Sequence, residues 1–460
     1  MTFSAPALYM GKIRWSNQQI IKMKRRTFLK TASATGLAVA ATPNLLLGAA
    51  KDSPNEKLNM GIIGSGGRGS ANLRGVASEN IVALCDVNVQ TLEAVHKKYP
   101  KAKKYTDWRK MMDDKSIDAV TVSTADHCHA PASVAAMRAG KHVYCEKPLA
   151  HSVHEARVMR ETFAKSGVAT QMGTQIHAND NYRRVVELVQ SGAIGAVREA
   201  HVWCSRTINP IGSAELERQS PPDWFRWDEW LGPAPDRYYN QGYWKGGNLN
   251  WNRRWDFGNG VLGDMGSHLI DLPWWALELH TPLTCEAIGP KADPDACPPW
   301  MKVTWEHAAR RGKPALEAPV KVVWYHGGRS KRDRPEIETG MDLSKWFNGI
   351  LFVGDKGMLL ADYGKRVLLP KDKFADFKAP KPWIAKSIGH HQEWIHAAKT
   401  GAPTLCNFEY SGSLIEHNLL GSVAYRVGKK LQWDSKNLKA TNAPEASKYI
   451  RREYRKGWSI

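Results

Sequence analysis

The chain has 460 residues, enough for two domains with full cores, and its composition is globular, without low-complexity tracts or internal repeats. The net charge is +20, but outside the first 50 residues the excess is scattered over short runs (101–104, 310–313, 331–334, 451–456). No basic helix or aromatic RNA-binding signature accompanies it, so a nucleic-acid partner is not expected.

Residues 23–50 read MKRRTFLKTASATGLAVAATPNLLLGAA. Arg25 and Arg26 stand before Phe28, Leu29 and Lys30, and a weakly apolar stretch runs to Ala49 and Ala50. This is the pattern of a twin-arginine export signal, read by the Tat translocon. Met23 is the expected start, with 1–22 an upstream extension. The apolar stretch is short and broken by Thr, Asn and Pro, so no permanent membrane span is expected. The expected destination is the periplasm.

Residues 58–69, LNMGIIGSGGRG, form an apolar strand that ends in Gly64, Gly66 and Gly69. In this G-x-G-x-x-G spacing a strand turns sharply into a helix whose N–H groups face a pyrophosphate. Ser65, Gly67 and Arg68 complete the turn. Asp86 closes a second strand, IVALCD, 22 residues after Gly64. An acid at that distance is placed to hold both ribose hydroxyls of an adenosine. It favours NAD, because a carboxylate repels a 2′-phosphate, while Arg68 leaves NADP open. The periplasm has no pool of free nicotinamide nucleotide, so an exported protein of this kind must hold its cofactor tightly.

From 58 to about 172, apolar strands alternate with helical stretches, as in a parallel sheet wrapped by helices. The strand ends Gly64, Asp86, Ser123, Thr124, Glu146, Lys147 and Gln175 should converge on one crevice. The spacing predicts a Rossmann domain over 56–175.

Beyond 175 the pattern changes. A helix at 179–192 leads to the strand VREAHVWCS, a Trp-rich irregular stretch at 207–258, and one helix over 260–279. Runs such as MKVTWEHA, VKVVWYHG, GILFVGD and GMLLADY read as antiparallel strands. Two helices, 390–401 and 411–430, follow. The fold class is α/β: a Rossmann domain, then a second α/β domain at 176–460 with an open, mainly antiparallel sheet. The clustered tryptophans 224, 227, 230, 244, 251 and 255 either stack on sugar faces or pack on one another.

Asp264 and His268 lie four apart on a helix and share a face, and Asp271 should fall there too. A carboxylate beside an imidazole orients it and raises its basicity, so that histidine can take and return a proton near neutral pH. Lys147 would stabilise alkoxide character on the substrate as hydride leaves. Zinc on His268, His390 and His391 is the rival reading, but the spacing matches no zinc motif and no metal is expected. The seven cysteines form no C-x-x-C pair and read as buried thiols.

The chain resembles the Gfo/Idh/MocA oxidoreductases. The matching stretches are the glycine turn, VSTADHCHAPASVAAMRAGKHVYCEKPLA at 122–150, QMGTQIH at 171–177, GAIGAVREA at 192–200 and GNGVLGDMGSHLID at 258–271. The resemblance implies that Lys147, in the E-K-P element with Glu146, lies beside a nicotinamide, and that the peptide before Pro148 is cis. Asp264 and His268 match the acid and histidine that handle the substrate proton, where some members use a tyrosine. Thr124 and His129 match a T-P-x-x-x-H element near the cofactor, with Ala125 in place of proline; His127 falls in the same element. Gln175, His177, Arg254, Trp255 and His391 are the further candidate substrate contacts. The implied function is NAD(P)-dependent oxidation of a secondary hydroxyl of a sugar or glycoside, with the 3-position of a glucoside as one target. Two alternatives stand beside it. One is a redox-neutral NAD-dependent glycosidase, although the Y-P-T-H-G motif of its best-known type is replaced here by GDMGSH. The other is a non-catalytic sugar-binding relative. Relatives pair through their open sheets, which implies a homodimer or homotetramer.

Overall fold

The computed structural model describes residues 56–460 apart from 209–215, 311, 313–315 and 329–332. The export signal expected in residues 1–50 lies outside the described residues. Among the described residues no helix is long and apolar enough to cross a membrane.

Six strands form the first sheet: β1 (Asn59–Ile63), β2 (Asn80–Cys85), β3 (Lys103–Tyr105), β4 (Ala119–Val122), β5 (His142–Cys145) and β6 (Thr170–Met172). All pairings are parallel and the order is β3-β2-β1-β4-β5-β6. Every residue of β4 is buried, as a strand covered by helices on both faces requires. The order reverses between β1 and β4, and a crevice opens at their carboxyl ends.

The second sheet has nine strands: β7 (Val197–Cys204), β8 (Thr284–Ile288), β9 (Met301–His307), β10 (Val320–His326), β11 (Asn348–Gly354), β12 (Met358–Ala361), β13 (Arg366–Leu369), β14 (Leu431–Asp434) and β15 (Lys439–Ala440). Their order is β13-β12-β11-β7-β10-β9-β8-β14-β15. Only β7 and β10 pair in parallel; the sheet is otherwise antiparallel, as its alternating runs imply. Trp203, Tyr325, Leu351 and Leu360 form an apolar cluster with Leu343 and Trp346, and the Trp203 indole donates to the Trp346 carbonyl at 2.9 Å.

The single helix expected over 260–279 is two, Gly260–Leu269 and Asp271–Ala276. Pro273 has no N–H for the carbonyl of Leu269, and its ring crowds that carbonyl, so the helix breaks there. All seven cysteines are buried and unpaired.

The helix Phe408–Val427 ties the two sheets together. It packs on the Rossmann helix Val153–Ser166, where Gly412 leaves room for the Arg160 side chain. Buried Glu416 accepts two hydrogen bonds from Arg157, both at 2.9 Å, and one from Arg160 at 2.9 Å. Removing one partner of a buried ion pair strands the other charges. Glu416→Ala should therefore destabilise the protein by about 3 kcal/mol, read as a lower urea midpoint with an unchanged slope.

Candidate active site

The crevice has a nucleotide end and a reaction end. At the nucleotide end Gly64 has φ +79°, and a Cβ there would strike the Ser123 carbonyl. A Cβ on Gly69 would strike the carbonyl of Gly64. These two glycines allow strand and helix to close on each other. Gly67, at φ +49°, has open space where a Cβ would stand. The helix Gly67–Gly75 has no side-chain cap and no acid in its first turn. Its free N–H groups and positive dipole end suit a pyrophosphate.

The Asp86 carboxylate accepts from Ser65 N at 2.9 Å, Ser65 Oγ at 3.0 Å, Gly66 N at 3.3 Å and Asn88 N at 2.9 Å. Burial pushes its pKa above the ordinary value against the pull of these bonds. Arg68, which left NADP open, is turned to Glu146 at 2.8 Å. Glu146 also accepts from Asn72 at 3.0 Å and Gln175 at 3.1 Å, so this acid organises the floor of the crevice. The glycine cradle, the Asp86 carboxylate at the strand end and the Arg68–Glu146 pair fit NAD.

The Trp-rich stretch docks here, which its sequence did not signal. Phe225 forms a β-bridge with Asn88, Val89 N donates to Trp224 O at 2.8 Å, and Arg226 N donates to Val87 O at 2.9 Å. Trp224 is thus brought to the loop that follows Asp86. Several of the other rings pack on one another: Trp227 stacks on Trp230 at 5.0 Å, Phe225 on Trp244 at 4.2 Å, and Trp230 meets Phe257 edge-on at 4.8 Å.

At the reaction end Lys147 follows β5, and its peptide to Pro148 is cis, as the resemblance implies. The Lys147 ammonium donates to the Asp264 carboxylate and, at 3.2 Å, to the Asp264 carbonyl. Arg206, two residues past β7, holds the other carboxylate oxygen. Burial works to raise the Asp264 pKa, but Lys147 and Arg206 overcome it and hold the acid below the ordinary carboxylate range.

His268 Nδ1 meets Thr174 Oγ1 at 3.0 Å, and the same hydroxyl lies 2.9 Å from the Ser267 carbonyl. A carbonyl only accepts, so the Thr174 proton points to Ser267 and Nδ1–H donates to Thr174. The lone pair is therefore on Nε2. Burial first, then the Lys147 charge, lowers the His268 pKa to about 3, against a smaller upward pull from Asp264. This corrects the expectation of an imidazole titrating near neutrality. His268 is neutral at pH 7 and accepts through Nε2.

A cavity of about 530 Å³ opens beside these groups, lined by Gln175, Ile176, Ala178, Asn179, His268, Tyr363, His390 and His391. His391 stacks on Tyr144 at 4.7 Å and its Nε2 lies 3.1 Å from Asn72 Oδ1. Tyr363, in the turn between β12 and β13, has a buried hydroxyl with no hydrogen-bond partner among the described residues. Sequence reasoning missed Arg206 and Tyr363. Arg206 was findable as a charge just past a strand end; a tyrosine in a hairpin turn carries no such signal. Among the described residues no three His, Cys, Asp or Glu gather as a metal site.

Other candidates lie elsewhere. His177 is buried, stacked on Trp275 at 4.1 Å and bonded to Asp271 at 2.9 Å. Asp271 also accepts from Tyr410 at 2.7 Å, because the helix break turns it off the Asp264 face. Arg254 pairs with Asp295, and Trp255 donates to the Asp293 carbonyl at 3.1 Å and lines a different cavity. His127 is buried against Trp230 and Phe257, with Nε2 2.9 Å from the Trp230 carbonyl. His129 lies between the carbonyls of Pro148 (Nδ1, 2.7 Å) and Thr124 (Nε2, 3.0 Å), where two crevice loops meet, and its one N–H donates to one of them.

A doubly wound parallel sheet with this glycine turn, this acid and this lysine defines a nicotinamide-nucleotide oxidoreductase domain. The chain belongs to the Gfo/Idh/MocA oxidoreductase family: its NAD-binding Rossmann fold matches residues 58–174 and its C-terminal alpha/beta domain matches 179–311. Inositol 2-dehydrogenase of Salmonella typhimurium is 33% identical over 150 residues, 31% of this chain and 45% of that protein. Levoglucosan dehydrogenase of Pseudarthrobacter phenanthrenivorans is 26% identical over 229 residues, 47% of this chain and 50% of that protein. The chain spans about half the length of the curated relatives it matches. The WlbA dehydrogenase from Bordetella pertussis, solved with NADH and UDP-GlcNAcA, shares the fold, with a TM-score of 0.57, 16% identity, and coverage of 82% of this chain and 99% of that one.

Burial holds His127, His268, His390 and His417 each at a pKa of about 3. The native state refuses protons that the unfolded chain takes up below about pH 6.5. Each such histidine therefore contributes stability that is full at pH 7 and above and is lost as pH falls from about 6.5 toward 3, at up to about 1.4 kcal/mol per pH unit. Urea midpoints should be level from pH 8 to 7 and drop steeply between pH 6 and 4. A midpoint unchanged at pH 5 would contradict this assignment.

Proposed function

We propose that the protein is an NAD-dependent dehydrogenase that oxidises a secondary hydroxyl of a sugar or glycoside. The observation that carries this reading is the Lys147–Asp264 ion pair beside His268, which lines the 530 Å³ cavity. NAD, when bound, supplies the hydride acceptor.

The protein's own groups do the rest. His268 Nε2, neutral and free, accepts the hydroxyl proton of the substrate. The Lys147 ammonium stabilises the charge that builds on the substrate oxygen. Asp264, ionised between Lys147 and Arg206, keeps that ammonium in place. Gln175, His391 and Tyr363 offer polar contacts to the remaining hydroxyls. The relatives that act on inositol and levoglucosan support a polyhydroxylated substrate.

The proposal includes export by the twin-arginine pathway to the periplasm, resting on Arg25, Arg26 and the following stretch. It also includes a cofactor held through turnover, and a homodimer or homotetramer.

The test is to purify the protein, identify its bound nucleotide, and follow the reduced-nicotinamide absorbance on mixing with a glycoside panel. The expected result is stoichiometric reduction by at least one sugar. Nitrophenol release from a nitrophenyl glycoside without net reduction would instead assign a redox-neutral glycosidase. Absence of any pyridine nucleotide, bound or taken up, would end the proposal. His268→Ala should lower kcat by about 10²–10⁴-fold. Thr174→Val removes the acceptor that fixes the imidazole tautomer; kcat should fall about tenfold or more while NAD affinity, measured by fluorescence titration, stays unchanged.

A further inference from the structure

Behind the loop that carries Lys147 lies a second cavity of about 230 Å³, which shares no lining residue with the first. Three cations line it: Arg426, Lys448 and Arg452. Arg426 sits between the rings of Trp255, at 4.9 Å, and Tyr449, at 4.1 Å. Among the described residues no carboxylate lies within ion-pair distance of it. Arg452 uses Nε on Glu155 and Nη2 on the His127 carbonyl, each at 2.6 Å, while its Nη1 is buried without a hydrogen-bond partner among the described residues. Two acids share the wall, but Asp256 is held by Arg237 and Glu453 is exposed.

Two buried polar side chains on the wall also lack well-formed partners. Ser422 is 4% exposed and its hydroxyl has none among the described residues. His151 is 7% exposed; the Gly258 backbone lies beside its ring, yet neither ring nitrogen makes a hydrogen bond of ordinary geometry. Buried donors and acceptors without partners are rare and call for a ligand or ordered water. Arg426, without a carboxylate partner among the described residues, together with them selects an anion. The aromatic walls suit a ring or an apolar body. The volume is below the roughly 300–1,000 Å³ of drug-sized sites, so the ligand is small.

We propose that this cavity is a second binding site, for a small organic anion of monosaccharide size that presents a carboxylate or phosphate to Arg426, Lys448 and Arg452. The site touches the catalytic frame from behind. His151 is four residues past Lys147, and its carbonyl accepts from Asn259, at 3.0 Å, just before the helix that carries Asp264 and His268.

The experiment is calorimetric titration of the full-length protein with glucuronate, inorganic phosphate and neutral glucose, in the wild type and in Lys147→Ala. Saturable binding of glucuronate or phosphate that persists in Lys147→Ala is expected, and whichever anion binds identifies the head group. Losing a charge-assisted hydrogen bond should weaken that binding about tenfold in Arg426→Gln. Lys448→Glu, at an exposed position that leaves the fold intact, should weaken it comparably. No binding of either anion, binding lost in Lys147→Ala, or affinity unchanged in both cavity variants would overturn the proposal.

Discussion

The contact on which the site depends is the ion pair between Lys147 and Asp264, groups 117 positions apart in the chain. One lies two residues past a strand of the parallel sheet; the other sits on a helix of the second domain. Taking both charges out of water costs several kcal/mol, and their attraction roughly repays it, so the pair adds little net stability. What it fixes is position. The ammonium reaches both the side chain and the carbonyl of Asp264, which leaves it little freedom. Arg206 supplies the second charge that keeps Asp264 ionised despite its burial. The salt-bridged helices around Glu416 and the bridge from Asn88 to Phe225 then hold the domains in the register that this pair needs.

The parts of the molecule legible in sequence are those where one local rule decides. The glycine turn is forced, because any Cβ at Gly64 or Gly69 meets backbone. Asp86 follows from its distance to that turn, and Lys147, Asp264 and His268 from strand end and helix spacing. The failures are of three kinds. Helix periodicity placed Asp271 beside Asp264, but Pro273 breaks the helix and turns it to His177. Candidates chosen by residue type alone, His177, Arg254 and Trp255, went to local partners, since a buried charge or ring takes the nearest acceptor or face. The third kind is tertiary. Tyr363 arrives from a hairpin of the far sheet and Trp224 from an irregular stretch, and no pattern of period two or 3.6 reports where such loops land.

The charge state of His268 constrains how the proposed chemistry can run. A base with a pKa of about 3 is weak at pH 7 if it must keep the proton. The depression comes from burial and from Lys147, and both can change during turnover. In the proposed reaction the substrate brings its hydroxyl to the Nε2 edge of the imidazole. An alkoxide forming near the ammonium would offset the charge that opposes protonation. The imidazole thus becomes, in the proposed reaction, a better base as negative charge builds on the substrate. The Asp264 carboxylate pulls in the same direction throughout, since it raises the affinity of His268 for a proton. Proton transfer and hydride loss in the proposed reaction are coupled through Lys147, and Asp264, which holds that lysine, also favours the protonated imidazole.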